Sequence, residues 1–196
     1  WLRDVPLQKL TIGTSVKSIP NNAFRNCSNL TSINIPESVT LIGYFAFRDC
    51  SSLTSITIPE SVTEIGNYAF LYCSSLKEFI VDDSNRYYTS KDGVLFSKDI
   101  TTLITYPNAK ASVYEIPNST TSIGSSAFCA CSDLTSITIP ESVTSIGNYA
   151  FEKCSSLTEM IYNAENCKTL GTNWLRDVPL QKLIIGTSVK SIPNNA

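Results

Sequence analysis

Residues 30–52, LTSINIPESVTLIGYFAFRDCSS, decide the fold, because nearly the same string returns at 53–75 and again at 134–156. The shared pattern is L-x-x-I-x-I-P-x-x-V-T-x-I-G-x-x-A-F-x-x-C-x-x. Leu7, Leu30, Leu53 and Leu76 stand 23 residues apart, and so do Leu134, Leu157 and Leu180. A fixed period of this length marks a repeat architecture in which each unit is one coil of a stack.

Two units depart from the pattern. The 58 residues from Leu76 to Leu134 divide into a 35-residue unit, 76–110, and a standard coil, 111–133, with Tyr114, Ile116, Pro117, Ile123, Ala127, Phe128 and Cys131 in register. The 12 extra residues read as a hairpin: Gly93–Phe96 and Thr102–Tyr106 are β-prone runs, joined by the polar Ser97-Lys98-Asp99 and closed by Pro107. Unit 157–179 keeps its length but carries Asn173-Trp174 where the pattern has Ala-Phe and Asp177 where it has Cys.

A longer period lies above the first. Residues 174–196 repeat residues 1–23 with a single change, Thr11 to Ile184, at an offset of 173, the length of six plain coils and the 35-residue one. The expected organisation is a single solenoid over 1–196: coils 7–29, 30–52, 53–75, 76–110 with the hairpin, 111–133, 134–156 and 157–179, flanked by partial coils 1–6 and 180–196. Because Trp1 falls in mid-repeat, with neither Met nor a signal peptide before it, the chain is expected to be part of a longer tandem array.

One coil offers about eight inward positions, in 30–52 Leu30, Ile33, Ile35, Val39, Ile42, Ala46, Phe47 and Cys50. Their burial alone falls short of the entropy lost in ordering 23 residues, so coils must stack to be stable. The L-x-x-I-x-I segment predicts one short parallel strand per coil, ended by Pro36, Pro59, Pro117 and Pro140, which lack a backbone donor. Asn67, Ser125 and Asn148, each after a glycine and before Ala-Phe, predict N-caps of short helices on the convex side. The fold class is therefore α/β: a repeat solenoid with a parallel strand per coil, short convex helices or turns and one inserted β-hairpin.

Composition narrows the function. Hydrophobic residues make up 42% and charged residues 16%, the balance of a folded chain. Lys+Arg number 15 against Asp+Glu 17, with no basic run, which removes the electrostatic footprint of a nucleic-acid binder. No apolar stretch reaches the roughly 18 residues of a membrane-spanning helix.

Catalysis has no foothold. With no histidine in the chain, Ser-His and Cys-His nucleophile pairs cannot form, and the recurring Ser residues read as solvent-facing filler. Glu37, Glu60 and Glu141 recur after proline as a solvated edge. Asp82-Asp83-Ser84-Asn85 lacks the spaced ligands of a calcium loop and reads as a turn. Cys27, Cys50, Cys73, Cys131 and Cys154 share one repeat position and point the same way, which is poor geometry for disulfides and good geometry for small core residues. Cys129, expected near the surface, and Cys167 fall outside that ladder and read as free thiols. No enzyme, cofactor, metal or catalytic residue is expected.

The runs ITIPESVTSIGNYAFEKCSSLTEM and YTSKDGVLFSKDITTLITYP resemble the BspA-like leucine-rich-repeat proteins, and the resemblance spans the whole chain. It implies a right-handed leucine-rich-repeat solenoid. It also implies a non-catalytic cell-surface or secreted adhesion module that binds host matrix or cell-surface proteins. The alternative is a structural stalk, spacer or filament-forming repeat without a specific ligand. For a binder, the relevant residues point outward on the strands: Ser32 and Asn34, Ser55 and Thr57, Glu78 and Ile80, Val113 and Glu115, Ser136 and Thr138, Glu159 and Ile161. Most are small and polar, unlike the aromatic anchors of tight interfaces. The candidate partner-binding residues are Ile80, Glu78, Glu115 and Ile161 on the strands and Tyr87, Tyr88 and Tyr106 about the hairpin. The apolar edges of the partial coils, with Trp1, Leu2, Leu183, Ile185 and Ile192, predict end-to-end self-association.

Overall fold

The computed structural model describes residues 1–193; the last three residues of the partial coil 180–196 lie outside the described residues. The chain is a β-solenoid of about eight coils spaced about 23 residues apart, and it forms two compact units, Trp1–Lys98 and Asp99–Ala196.

The first unit contains β1 (Lys9–Thr11), β2 (Ser18–Ile19), β3 (Ser32–Asn34), β4 (Leu41–Ile42), β5 (Ser55–Ile58), β6 (Glu64–Ile65), β7 (Glu78–Val81), β8 (Tyr88–Lys91) and β9 (Val94–Ser97). The second contains β10 (Thr102–Thr105), β11 (Val113–Glu115), β12 (Ser122–Ile123), β13 (Ser136–Ile139), β14 (Ser145–Ile146), β15 (Glu159–Tyr162), β16 (Thr169–Leu170) and β17 (Lys182–Ile185).

Each regular coil therefore gives two short strands rather than one. The L-x-x-I-x-I strands pair in parallel, β1 with β3, β5 with β7, and β11-β13-β15-β17 in order. The x-I residues before each glycine form a second parallel row, β2-β4-β6 in the first unit and β10-β12-β14-β16 in the second. Glycine follows this second row because the coils come closest there. A Cβ on Gly66 would lie 2.6 Å from the backbone nitrogen of Tyr44, and one on Gly147 would lie 2.5 Å from that of Ser125.

The expected convex helices are absent among the described residues; turns take their place. Outside the 35-residue coil, each complete convex segment holds two left-handed residues four apart, for example Asn22 (φ 58°) with Asn26 (φ 60°), and Phe45 (55°) with Asp49 (61°), which breaks a right-handed helix. Their amides bond sideways to the next coil instead: Asn22 N to Tyr44 O, Phe24 N to Ala46 O and Asn26 N to Arg48 O, each at 2.8 Å. The supposed N-cap position also acts between coils. Asn21 Oδ1 accepts from Tyr44 N, and Asn148 Oδ1 from Thr172 N, both at 2.8 Å.

The core is a set of side-chain ladders. Leu30, Ile35, Val39, Ile42, Ala46, Phe47 and Cys50 are buried as expected, while Ile33 is half-buried. Phenylalanine rings stack from coil to coil, Phe24 on Phe47 at 5.4 Å and Phe47 on Phe70 at 5.6 Å, with Phe128 on Phe151 at 4.8 Å in the second unit. All seven cysteines are buried, Cys129 included, contrary to the surface position expected for it. The Cys129 thiol faces Glu152 Oε2 at 3.8 Å. The ladder thiols donate to the carbonyl of the preceding phenylalanine: Cys50 to Phe24 O and Cys73 to Phe47 O at 3.2 Å, Cys154 to Phe128 O at 3.0 Å. The repeated Ser and Thr hydroxyls are not filler. Ser61 Oγ donates to Val39 O at 2.7 Å, Ser142 Oγ to Thr120 O at 2.7 Å, and Thr135 Oγ1 to Ser112 O at 2.9 Å, each linking adjacent coils.

Both irregular coils differ from their sequence reading. The hairpin pairs β8 with β9, antiparallel, from Tyr88↔Ser97 to Lys91↔Val94 about Asp92-Gly93. Both turn residues have positive φ, 51° and 75°, as a two-residue hairpin turn requires. The Ser97-Lys98-Asp99 turn with Thr102–Tyr106 as second arm is thus incorrect. Thr102–Thr105 instead takes the second-row place, with Thr102↔Ser122 and Leu103↔Ile123 in parallel. Coil 157–179 slips by one residue. Ile146 pairs with Leu170, an offset of 24 where Ile123 to Ile146 is 23, and Phe151 N bonds Trp174 O where Phe128 N bonds Ala150 O. Trp174 therefore stands in the alanine position, not the phenylalanine one, and its indole packs edge-on to Phe151 at 6.1 Å.

Candidate functional site

In the first unit the strand face carries Ser32, Asn34, Thr57, Glu78 and Ile80 exposed and Ser55 half-buried. Register sets Ser55 beside Glu78 and Thr57 beside Ile80. Ile80 is 46% exposed, a large aliphatic side chain left in water at the last ladder of this face. Beyond β7 the chain turns sharply: Asp82 Oδ1 accepts from Ser84 N at 2.8 Å, so Asp82-Asp83 is the expected turn.

Asn85 then occupies the core position of Val62 one coil earlier and is fully buried. Its amide makes four bonds. Nδ2 donates to Pro59 O at 2.8 Å and Val62 O at 3.0 Å, while Oδ1 accepts from Tyr87 N at 2.9 Å and Tyr88 N at 2.8 Å. Every polar atom is satisfied, which makes burial tolerable. This residue launches the hairpin and fixes where its tyrosines point. Tyr87 is 52% exposed. Tyr88 is half-buried, and its hydroxyl accepts from Ile65 N at 2.9 Å, supplying the partner that β6 lacks in the row; burial raises its pKa.

Tyr106 is 2% exposed, and its candidacy as a surface contact is corrected. It fills a rung of the aromatic ladder, 5.0 Å from Phe128, and donates its hydroxyl to Ala111 O at 2.9 Å. The phenylalanine register, not the hairpin, explains it.

In the second unit Val113 and Glu115 are exposed, and Ser136, Thr138, Glu159 and Ile161 are half-buried. Val113 stands beside Ser136, Glu115 beside Thr138 and Thr138 beside Ile161. Where these strands end, a cleft of about 440 Å³ opens, lined by Glu115, Ile116, Asn118, Thr138, Pro140, Glu141, Ser142 and Asn163. Of these residues only Glu115 is a binding candidate from sequence; Glu141 reads there as a solvated edge, and Asn118 and Asn163 carry no assigned role. A signal was present: Asn163 stands where the pattern has the strand-ending proline of Pro140.

The functional arrangement is thus an exposed, mainly polar strand face with a few apolar side chains, and a cleft that mixes carboxylates, amides and hydroxyls with Ile116 and Pro140. Among the described residues no group of three or more His, Cys, Asp or Glu converges as a metal site, and no helix is long and apolar enough to cross a membrane.

Stacked coils, parallel rows and a ladder of inward Leu, Ile, Phe and Cys define a leucine-rich-repeat protein. The chain belongs to the BspA type leucine rich repeat region family, whose pattern matches in six copies over residues 3–114 and 105–196. The pneumococcal vaccine antigen PcpA is similar in structure, with 28% identity and a TM-score of 0.82 over 96% of this chain and 53% of that one. So is a leucine-rich cell-surface protein of Faecalibacterium prausnitzii, with 25% identity and a TM-score of 0.73 over 97% of this chain and 63% of that one. A Treponema pallidum leucine-rich-repeat protein, at 23% identity and a TM-score of 0.56 over 93% of this chain and 80% of that one, shares the fold. The chain spans between half and two thirds of the length of the first two. None of the curated proteins matches it in sequence. Proteins of this repeat class are generally non-catalytic and act through protein contacts.

Proposed function

We propose that the chain is a non-catalytic adhesion module, displayed at the cell surface or secreted, that binds host matrix or cell-surface proteins through its outward strand face and hairpin. The observation that carries this reading is the exposure of Ile80 and Tyr87 at 46% and 52%, on a strand face and hairpin whose other outward residues are mostly polar. A protruding aromatic and an aliphatic side chain are the groups that anchor protein interfaces. Glu78, Glu115 and Ile161 lie on the same kind of face and shape its specificity. The test is binding of the 196-residue chain to immobilised matrix proteins and to whole cells, alongside Ile80→Ser/Tyr87→Ser. Retention that the double substitution abolishes supports the reading; no retention on any surface defeats it.

The near-identity of residues 1–23 and 174–196 favours a second reading, a structural spacer that also self-associates end to end. Strand β17 is the edge of its row, with Leu183, Ile184 and Ile185 exposed by 45%, 38% and 45%. Light scattering across a concentration series distinguishes this: growth in mass supports the spacer, and a constant monomer mass removes it.

A further inference from the structure

We infer that the cleft at the ends of β11, β13 and β15 is a receptor for an arginine side chain presented by a partner polypeptide. The proposal deepens the protein-binding reading by naming the chemistry of one contact. The cleft measures about 440 Å³, room for a long side chain and the backbone that carries it. Its polar lining contains the carboxylates of Glu115 and Glu141, the amides of Asn118 and Asn163 and the hydroxyls of Thr138 and Ser142, with no lysine, arginine or aromatic ring.

Charge decides the occupant. Among the described residues neither Glu115 nor Glu141 forms an ion pair or side-chain hydrogen bond, whereas Glu152 and Glu159 on neighbouring coils are matched with Arg176 at 3.5 Å and Lys182 at 2.9 Å. Ionised carboxylates only accept hydrogen bonds, so two of them in one cleft call for a donor-rich cation. A guanidinium supplies five N–H donors in a plane. It can engage a carboxylate in bidentate fashion and still reach amide or hydroxyl oxygens. The absence of an aromatic platform argues against a sugar ring stacked in the cleft. The departures from the repeat coincide here: Asn118 replaces the glutamate of Glu60 and Glu141, Asn163 replaces proline, and Glu115 replaces the neutral Asn34 and Thr57.

The test uses the whole chain, isotope-labelled, titrated with N-acetyl tetra-arginine amide, with tetra-lysine and with neutral chitotriose as comparison probes. The side-chain amide signals of Asn118 and Asn163 are expected to shift with tetra-arginine. Glu115→Gln/Glu141→Gln should weaken that binding by roughly ten-fold and flatten its salt dependence. Glu37→Gln/Glu60→Gln, on exposed carboxylates of the first unit, should leave it unchanged. Thermal melts of both double variants confirm that each is folded. No shift at millimolar peptide, equal weakening by the control pair, equal or tighter binding of tetra-lysine, or a chitotriose response indifferent to the glutamine substitutions each overturns the proposal. Arginine binding that survives Ile80→Ser/Tyr87→Ser while matrix retention is lost separates this cleft from the wider adhesion reading.

Discussion

Asn85 stands one coil above Val62 and donates its amide to the Val62 carbonyl at 3.0 Å, a buried polar group at the position that Val39 and Val62 hold in the two coils before it. Its other three bonds hold Pro59, Tyr87 and Tyr88 in place, so one side chain ties the base of the hairpin to the coil before it. Asn85→Ala removes the side-chain partner of the Val62 carbonyl and of the Tyr87 and Tyr88 amides, and is expected to cost about 3 kcal/mol. Urea denaturation measures the loss, and hydrogen exchange at the Tyr87 and Tyr88 amides should accelerate most. A loss spread evenly over the unit, with those amides still protected, would contradict this account.

The thiol ladder gives a pH prediction. Burial, the largest cause, pushes the Cys50 and Cys154 thiols up to about 12, and Cys73 and Cys131 are raised well above their ordinary value of 9.0. A folded pKa above the unfolded one means that the native state holds the proton more tightly. The resulting stability is complete below pH 9 and declines as pH rises from 9 towards 12, by about 1.4 kcal/mol per pH unit for each such thiol. Guanidinium melts at pH 8, 9.5 and 10.5 check the sign. At pH 8 the folded chain should also resist iodoacetamide, with all seven cysteines reacting only after denaturation.

Close approach at the glycine row predicts a large response to a small change. Gly66→Ala places a methyl 2.6 Å from the Tyr44 nitrogen, a backbone atom that cannot swing aside. Destabilisation by about 2 kcal/mol or more is expected. The same substitution at Gly13, where nothing lies within 4 Å of the added carbon, should be nearly neutral. Equal effects at both sites would rule out inter-coil contact as the cause.

Left-handed positions offer a gain. Ala130 has a φ of 59°, a conformation that costs an L-residue about 1–2 kcal/mol and glycine almost nothing. Ala130→Gly should therefore raise stability by up to about 1 kcal/mol after the added freedom of the unfolded chain is counted. Thermal melts read this directly, and a lowered midpoint would show that the methyl packs more than the backbone strains.

Much of the molecule was legible in the string. The 23-residue period, the inward Leu, Ile, Phe and Cys positions, the strand-ending prolines and the outward Ile80 all follow from side-chain periodicity, which is local and repeats with the chain. The turn of the hairpin is also written in the sequence, as Asp92-Gly93, a strong two-residue turn signal. The β-prone run Thr102–Thr105 reads locally as a hairpin arm, whereas its parallel partner, Ser122–Ile123, lies a coil away.

The sequence by itself determined that this chain is a stack of like coils, because identical units at a fixed spacing bury identical faces only against one another. Tertiary structure alone decided what each coil does with its backbone on the convex side. Helical bonding is a contest within the coil, and it is lost to amides that reach the next one, as Asn22 reaches Tyr44. The same holds for Tyr106, drawn from the surface into an aromatic rung beside Phe128, and for Trp174, slipped by one residue into the alanine column. Each depends on a neighbour that proximity in sequence does not reveal. The cleft bounded by Glu115 and Glu141 arises for the same reason: residues 26 apart in the chain meet only when one coil lies on the next.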